Sequence, residues 1–381
     1  MMLDNLRKHR VAIVHDWLTV PGGAEKVLGQ FINIWPDADI YTLFDHMDEQ
    51  HRAFLKNCKV HTSFLQRMPF SKNNHRLFLP LMPLAVEQFD LSEYDLIISS
   101  SYAVAKGVIT SPNQLHISYV HSPIRYAWDL QHQYLKESRL DKGIKSIFAR
   151  FLLHYIRLWD YRTASGPDFM LANSKFIAKR IKKTYGRVAT VVYPPVDLQN
   201  FRFKADKGDF YLTASRLVPY KMVHLIVEAF GEMPDKKLIV IGDGPERERL
   251  QTNAKSNITF LGQQPHEILE EHMRNAKAFI FAAEEDFGIT PVEAQSCGTP
   301  VIAFGRGGAL ETVVPVGEEN ATGVFFYNQS SEDIIKAVGN FEALKSVISP
   351  FNCNENSKKF STERFRSEIV NLAEQLHSSF K

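Results

Sequence analysis

A chain of 381 residues is long enough for two domains, each with its own core. Its 45 Lys and Arg against 43 Asp and Glu leave a net charge of +2, too mild for a protein that binds nucleic acid in bulk. Cys58, Cys297 and Cys353 are odd in number and widely spaced, so they offer neither a disulfide framework nor a zinc spacing, and they fit a reducing compartment. The basic start (Arg7, Lys8, Arg10) is followed by VAIV, which His15-Asp16 breaks too early for a secretory leader. No apolar run approaches the ~20 residues of a membrane span. The expected location is the cytoplasm.

Along the chain, short apolar runs alternate with amphipathic stretches, the pattern of parallel α/β sheets. VAIVH (11–15) predicts a buried strand, and the turn after it carries Gly22-Gly23 ahead of a helix from about Ala24 to Ile34. Such glycines allow close approach of a phosphate, or only cap the helix. DADIYTLF (37–44), DLIISSS (95–101) and HISYVH (116–121) read as further strands. The last ends at His121, where a doubly wound domain places ligand contacts; Tyr126 and Trp128 beyond it either stack on a sugar or fill the core. FMLANS (169–174), the basic helix KFIAKRIKKTYG and VATVVYPPV (188–196) close the first half, and the polar FRFKADKGDF (201–210) reads as a linker.

FYLTAS (210–215) opens the second half, and the loop after it places Arg216 and Lys221 five residues apart. A guanidinium fork and a compact ammonium can grip a diphosphate, although two solvated cations are the commoner fate of such a pair. KKLIVIG (236–242) leads into Gly242-Asp243-Gly244-Pro245, a nucleotide-loop-like turn without the full GxGxxG pattern. NITFLG (257–262) and FIFAA (279–283) are strands with helices between them. The most informative stretch is EEDFGITPVEAQSCGTPVIAF (284–304). Thr290 as N-cap, Pro291 at the first helical position and Glu293 three residues after the cap predict a capping box, with Gly298 ending the helix. A helix opening off a buried strand suits an anion, and Glu285 and Glu293 beside it can hold sugar hydroxyls. Arg306-Gly307-Gly308 either adds N–H donors there or forms a plain turn. TGVFFY (322–327) is the last strand, and 362–379 has helical spacing. There is no HExxH, paired CxxC or DxD-type cluster, so no metal is expected and a leaving diphosphate must be met by Arg, Lys and helix termini.

GGAEKV (22–27), HSPIRYAWD (121–129), SRLVPYK (215–221), GDGPE (242–246) and EDFGITPVEA (285–294) together resemble the retaining glycosyltransferases of family four, over nearly the whole chain. The second and third motifs resemble the mannosyltransferase-like branch. The resemblance implies the GT-B fold: two Rossmann-like doubly wound α/β domains facing a central cleft. It implies an acceptor-side domain over 1–200, a linker over 201–209, a nucleotide-sugar-binding domain over 210–360, and a C-terminal helix over 361–381 that packs back on the first domain. Arg216 and Lys221 would bind the donor diphosphate, and Glu293 the ribose. Glu285 with the backbone N–H groups around Phe287, Gly288, Ile289 and Thr290 would position the sugar. His121 would touch that sugar, Gly22 and Gly23 would face the phosphates, and Gly242 would belong to the donor-binding set. Met222-Val-His224 departs from relatives, which often carry a basic residue and an acid there. The implied reaction is retaining transfer, most readily of mannose from GDP-mannose, with no cofactor. The implied acceptor is a lipid-linked glycan of surface polysaccharide assembly. A UDP-sugar transferase, a sugar-nucleotide epimerase and a non-catalytic sugar-binding protein are the competing classes.

Two segments bear on membranes. Residues 63–89 mix Phe, Leu and Met with Arg67, Lys72, His75 and Arg76. Residues 142–164 form a basic amphipathic helix with Ile144, Ile147, Phe148, Phe151, Leu152, Tyr155, Leu158 and Trp159 at steps of three and four. Such a stripe is more often core, yet basic flanks also suit an anionic bilayer. Peripheral contact through the first segment, on the inner face of the cytoplasmic membrane, is the expectation.

Overall fold

A computed structural model describes residues 9–380. The chain divides into two compact units, one reaching to Pro194 and resuming at Phe365, the other running from Pro195 to Arg364. The first holds seven strands, β1 Val11–His15, β2 Asp39–Thr42, β3 Val60–Thr62, β4 Leu96–Ser101, β5 Leu115–Val120, β6 Phe169–Ala172 and β7 Thr190–Val191, in the order β3-β2-β1-β4-β5-β6-β7. Every neighbouring pair is parallel. The central strands are buried on both faces, which is why they read as unbroken apolar runs. Ile13, Ile98 and Ile117 face the helix Gly23–Ile34 through Val27 and Phe31, and the same cluster takes Phe365, Ile369 and Ala373 from the C-terminal helix Thr362–Phe380. Ala12, Val14 and Ile97 point the other way, onto Phe44, Val86 and Trp159. The sequence reading missed β3: its three residues, Val-His-Thr, lie at the sheet edge, partly exposed, and carry no apolar run. Local signals set the helix ends. Ser174 Oγ accepts the Ile177 amide at 3.1 Å to start Lys175–Tyr185, and Gly186 stops it in the left-handed region at φ +70°.

The second unit holds β8 Tyr211–Ala214, β9 Leu238–Ile241, β10 Ile258–Gly262, β11 Ala278–Phe281, β12 Val301–Phe304 and β13 Gly323–Phe326, in the order β10-β9-β8-β11-β12-β13. Strand order reverses between β1 and β4 in one sheet and between β8 and β11 in the other, so each unit has its own switch-point crevice at the carboxyl ends of its strands. The segment 201–209, read from its polarity as a linker, is tied to the second unit. The Arg202 guanidinium donates to Glu270 at 3.2 and 2.9 Å, and the three ammonium protons of Lys207 meet Arg274 O, Cys297 O and Thr299 Oγ1 at 3.1, 2.9 and 2.9 Å. Burial lowers the Lys207 ammonium to about 8. These charges close a surface on one unit, a use that polarity cannot distinguish from a free tether.

His116, on β5, is fully buried with Nε2 2.8 Å from Ser99 Oγ, and burial pushes its imidazole down to about 3. The folded protein therefore holds it neutral while the unfolded chain takes up a proton below about 6.5. Stability from this group is complete above that value and is lost as pH falls from there toward 3. Urea unfolding midpoints should drop between neutral pH and about pH 5, and His116→Gln should flatten that slope. An unchanged slope would remove His116 from the account.

Candidate active site

In the second unit, loops leave the carboxyl ends of β8, β9, β11 and β12. The β8 loop carries exposed Arg216, buried Leu217 and the turn Pro219–Lys221. Met222 then caps the helix Val223–Gly231 in a left-handed conformation, φ +54°, which a bulky side chain rarely adopts. The departure from relatives noted at Met222 thus falls on the residue that turns Lys221 out of the helix start. The β9 loop packs against this one: the Leu217 amide donates to Asp243 O at 2.9 Å. A Cβ on Gly242 would lie 1.9 Å from Ser215 O. The Gly242 amide is itself bonded to Gly262 O at 2.8 Å. Gly242, expected in the donor-binding set, spends its N–H at the sheet edge, and the loop packing requires a glycine there.

The loop after β11 brings Glu285 onto Lys221, and the carboxylate Oε1 and the ammonium form an ion pair with both groups partly buried. Glu285 is pinned from behind. Its carbonyl accepts the Gly308 amide at 2.7 Å, and a Cβ on Gly308 would meet Phe287 Cα at 2.2 Å. Gly307-Gly308 therefore serves the close approach of two backbones, and the Gly308 amide is not available to a ligand. Phe287 is buried with its ring 5.3 Å from that of Phe360, so its side chain anchors the loop.

The helix after this loop spans Ile289–Ser296, with Gly288 as N-cap at φ +87° and no side-chain cap bond. The capping box centred on Thr290 is not formed. The left-handed glycine caps the helix two residues before Thr290, so Pro291 is its third residue and Glu293 its fifth, buried. The amides of Ile289 and Thr290 lie at the helix start, where no intrahelical acceptor exists. Gln295 braces the helix from below: it donates to Pro291 O at 3.1 Å and Thr312 O at 2.8 Å, and accepts from Asn356 at 2.8 Å. The sequence reading did not single out this buried amide network, because Gln and Asn carry no positional signal.

His121, Gly22 and Gly23 belong to the first unit, at its own switch point. Ser100 Oγ lies 2.8 Å from His121 Nε2 and 3.1 Å from His15 Nδ1, and His15 Nε2 is 3.4 Å from Glu25 Oε1. In the tautomer in which His15 donates from Nε2 to Glu25, its Nδ1 accepts from the Ser100 hydroxyl. Ser100 then accepts from His121 Nε2–H, leaving His121 Nδ1 as an acceptor. Burial pushes the His121 imidazole down to about 3, so it is neutral in this chain. Gly22 is the extended N-cap of its helix, where a Cβ would come within 3.0 Å of Glu25 Oε2. Gly22 therefore makes room for Glu25. Asp16, fully buried, accepts the amides of Tyr102, Ala103, Val104 and Ala105 at 2.6 to 2.9 Å and fixes the loop after β4. The sequence reading took His15-Asp16 only as the end of an apolar run. A polar pair closing a buried strand was the signal for His15, Asp16 and their partner Glu25. Trp128 is structural: its Nε1–H donates to Asp160 at 2.7 Å. Among the described residues no group of three or more His, Cys, Asp or Glu could hold a metal ion.

The two halves of the chain match two family models, Glycosyltransferase Family 4 over residues 21–200 and Glycosyl transferases group 1 over residues 197–360. An uncharacterized glycosyltransferase of Methanocaldococcus jannaschii is 27% identical over 61% of this chain and 64% of its own length. A GDP-mannose-dependent monoacylated alpha-(1-6)-phosphatidylinositol monomannoside mannosyltransferase of Corynebacterium glutamicum is 30% identical over 39% of this chain and 47% of its own. The chain thus spans less than two thirds of the length of these curated relatives. Anabaena HepE, solved in complex with UDP, shares the fold at TM-score 0.70 and 18% identity, covering 97% of this chain and all of HepE. The fold is GT-B, and with one model on each half, the chain belongs to glycosyltransferase family 4.

Proposed function

We propose that this glycosyltransferase is retaining and metal-independent, and that it moves mannose from GDP-mannose to a lipid-linked glycan acceptor at the inner face of the cytoplasmic membrane. The observation that carries the reading is the Lys221–Glu285 pair beside the helix start at Ile289: a cation, a carboxylate and backbone donors gathered at the β8/β11 switch point. Arg216, Lys221 and the helix start stabilise the departing diphosphate as the bond to the sugar breaks. Glu285 and the amides of Gly288, Ile289 and Thr290 hold sugar hydroxyls, Glu293 holds the ribose, and neutral His121 offers Nδ1 to a hydroxyl of the sugar. The acceptor oxygen bonds to the anomeric carbon on the face the diphosphate leaves, and its proton passes to a departing phosphate oxygen. No side-chain base is required. The GDP-mannose-dependent relative supports this donor.

Thermal shift with GDP, UDP and ADP tests it. At about a hundredfold excess over its dissociation constant GDP should stabilise by about 2.7 kcal/mol, a rise of roughly 5 °C, with little response to ADP. A response to UDP alone would overturn the donor, and a response to none of the three would overturn the site.

A further inference from the structure

The helix Ile144–Thr163 turns its apolar stripe outward. Ile144, Ile147, Phe148, Phe151 and Leu158 are between 60% and 85% exposed, whereas the inward face is made by Leu153, Ile156, Trp159 and the polar Ser146, Asp160 and Thr163. The stripe that helical spacing assigns to a core is therefore an exposed surface. Scattered exposed apolar residues are ordinary, but five large ones on one face of one helix form a patch of the kind that marks an interaction site.

We propose that this face docks the protein on an anionic lipid bilayer, with the helix lying in the plane of the surface. Charge identifies the occupant. Lys142, Lys145 and Arg150 are exposed alongside the stripe, and the only carboxylate among the helix's 20 residues, Asp160, is fully buried; Asp141 precedes the helix beside Lys142. A second copy seated on this face would bring these cations against one another with no helix carboxylate to meet them, whereas anionic headgroups complement them. A helix of this length runs about 30 Å, and no helix among the described residues is long and apolar enough to cross a membrane. Lying flat, it can bury Phe and Ile among the acyl chains while Lys and Arg stay at headgroup level. The segment 63–89 adjoins it. Glu87 accepts both Trp159 Nε1–H at 2.8 Å and Arg162 Nη2–H at 2.6 Å, and that segment exposes Phe70 and Leu77 beside Lys72 and Arg76. The sequence expectation placed contact in 63–89 and left the stripe of 142–164 open between core and bilayer; in the proposed docking that helix is the principal element. The inference deepens the lipid-linked acceptor of the proposed function and rests on that reading for its purpose, though not for its test.

Flotation of the full chain with vesicles of phosphatidylcholine alone, or mixed with phosphatidylglycerol, reads the docking without any sugar. The protein should float with the anionic vesicles at low salt, remain below with neutral ones, and be released by salt. Phe148→Ser/Phe151→Ser should cut the bound fraction at least about tenfold, and Lys142→Glu/Lys145→Glu should do the same. All four positions are exposed, and circular dichroism should show both variants folded. A parent that stays soluble with anionic vesicles, or a Phe148→Ser/Phe151→Ser variant that floats undiminished, overturns the docking. So does sedimentation showing a parent dimer that this variant turns into monomer, which assigns the face to a second copy. A protein that floats but transfers no sugar from any nucleotide donor keeps the docking and loses the enzymatic reading. One that transfers to a soluble acceptor but never floats does the reverse.

Discussion

Lys221→Ala should lower turnover of the nucleotide sugar by at least about tenfold, ~1.4 kcal/mol, and Glu285→Ala should do the same. The full loss of one preorganised charge at a departing diphosphate is roughly 2.7–4 kcal/mol, by analogy with an oxyanion-hole donor. The geometry of the pair sharpens this expectation. Lys221 and Glu285 neutralise each other while partly buried, so each holds the other at the switch point. In the proposed function, an arriving diphosphate would compete with Glu285 for the ammonium, and the carboxylate would be released toward sugar hydroxyls. Glu285→Gln should therefore keep the shape but weaken sugar positioning, lowering kcat more than it raises donor KM. An ion pair of this exposure contributes only about 0–1 kcal/mol to stability, so the variants should melt within a few degrees of the parent. That separates the two readings of the pair. Steady-state kinetics showing near-normal transfer by both alanine variants would leave it a surface salt bridge and remove the site assignment.

The second large effect is on stability, and it lies away from the site. Lys106 and Asp160 form a fully buried ion pair. The other carboxylate oxygen accepts Trp128 Nε1–H at 2.7 Å and the Tyr185 hydroxyl at 2.9 Å, while the Lys106 ammonium lies 5.1 Å from the Tyr185 ring centre. Burial, then the charge of Asp160, raises the Tyr185 phenol well above its usual value, so it stays a donor. Lys106→Met leaves the carboxylate without its cation in a dry site and should destabilise by about 3–5 kcal/mol, read from urea unfolding. Lys106→Met/Asp160→Asn removes both charges and should recover part of that loss. A single-variant loss under about 1 kcal/mol, the range of exposed pairs, would show that water reaches the pair.

The Lys106–Asp160 network also accounts for the orientation of the helix Ile144–Thr163. A helix with apolar residues at three- and four-residue steps was legible, and its basic flanks were too. Which side faced inward was not. The inward side is secured by Asp160 with its partners and by a narrow set of Leu153, Ile156 and Trp159, so the richer apolar stripe is left outside. Periodicity reports that a helix has two faces, and burial of an ion pair decided between them.

The sequence by itself determined the two parallel sheets, because strands covered on both faces must be apolar throughout and each is followed by a helical period. It also located the loops that carry Arg216, Lys221 and Glu285, and the helix start near Glu293, since these follow apolar strands. Only the tertiary structure decided which groups meet. Lys221 and Glu285 are 64 residues apart and become partners because β8 and β11 lie side by side. The Gly242 amide is bonded to the end of β10 and the Gly308 amide to the loop after β11, at Gly262 O and Glu285 O. The His15–Ser100–His121 relay likewise exists because three strands end at one edge. Apolar patterning is a local property of the chain. Hydrogen-bond partners and charge pairs are set by strand order, which no local window contains.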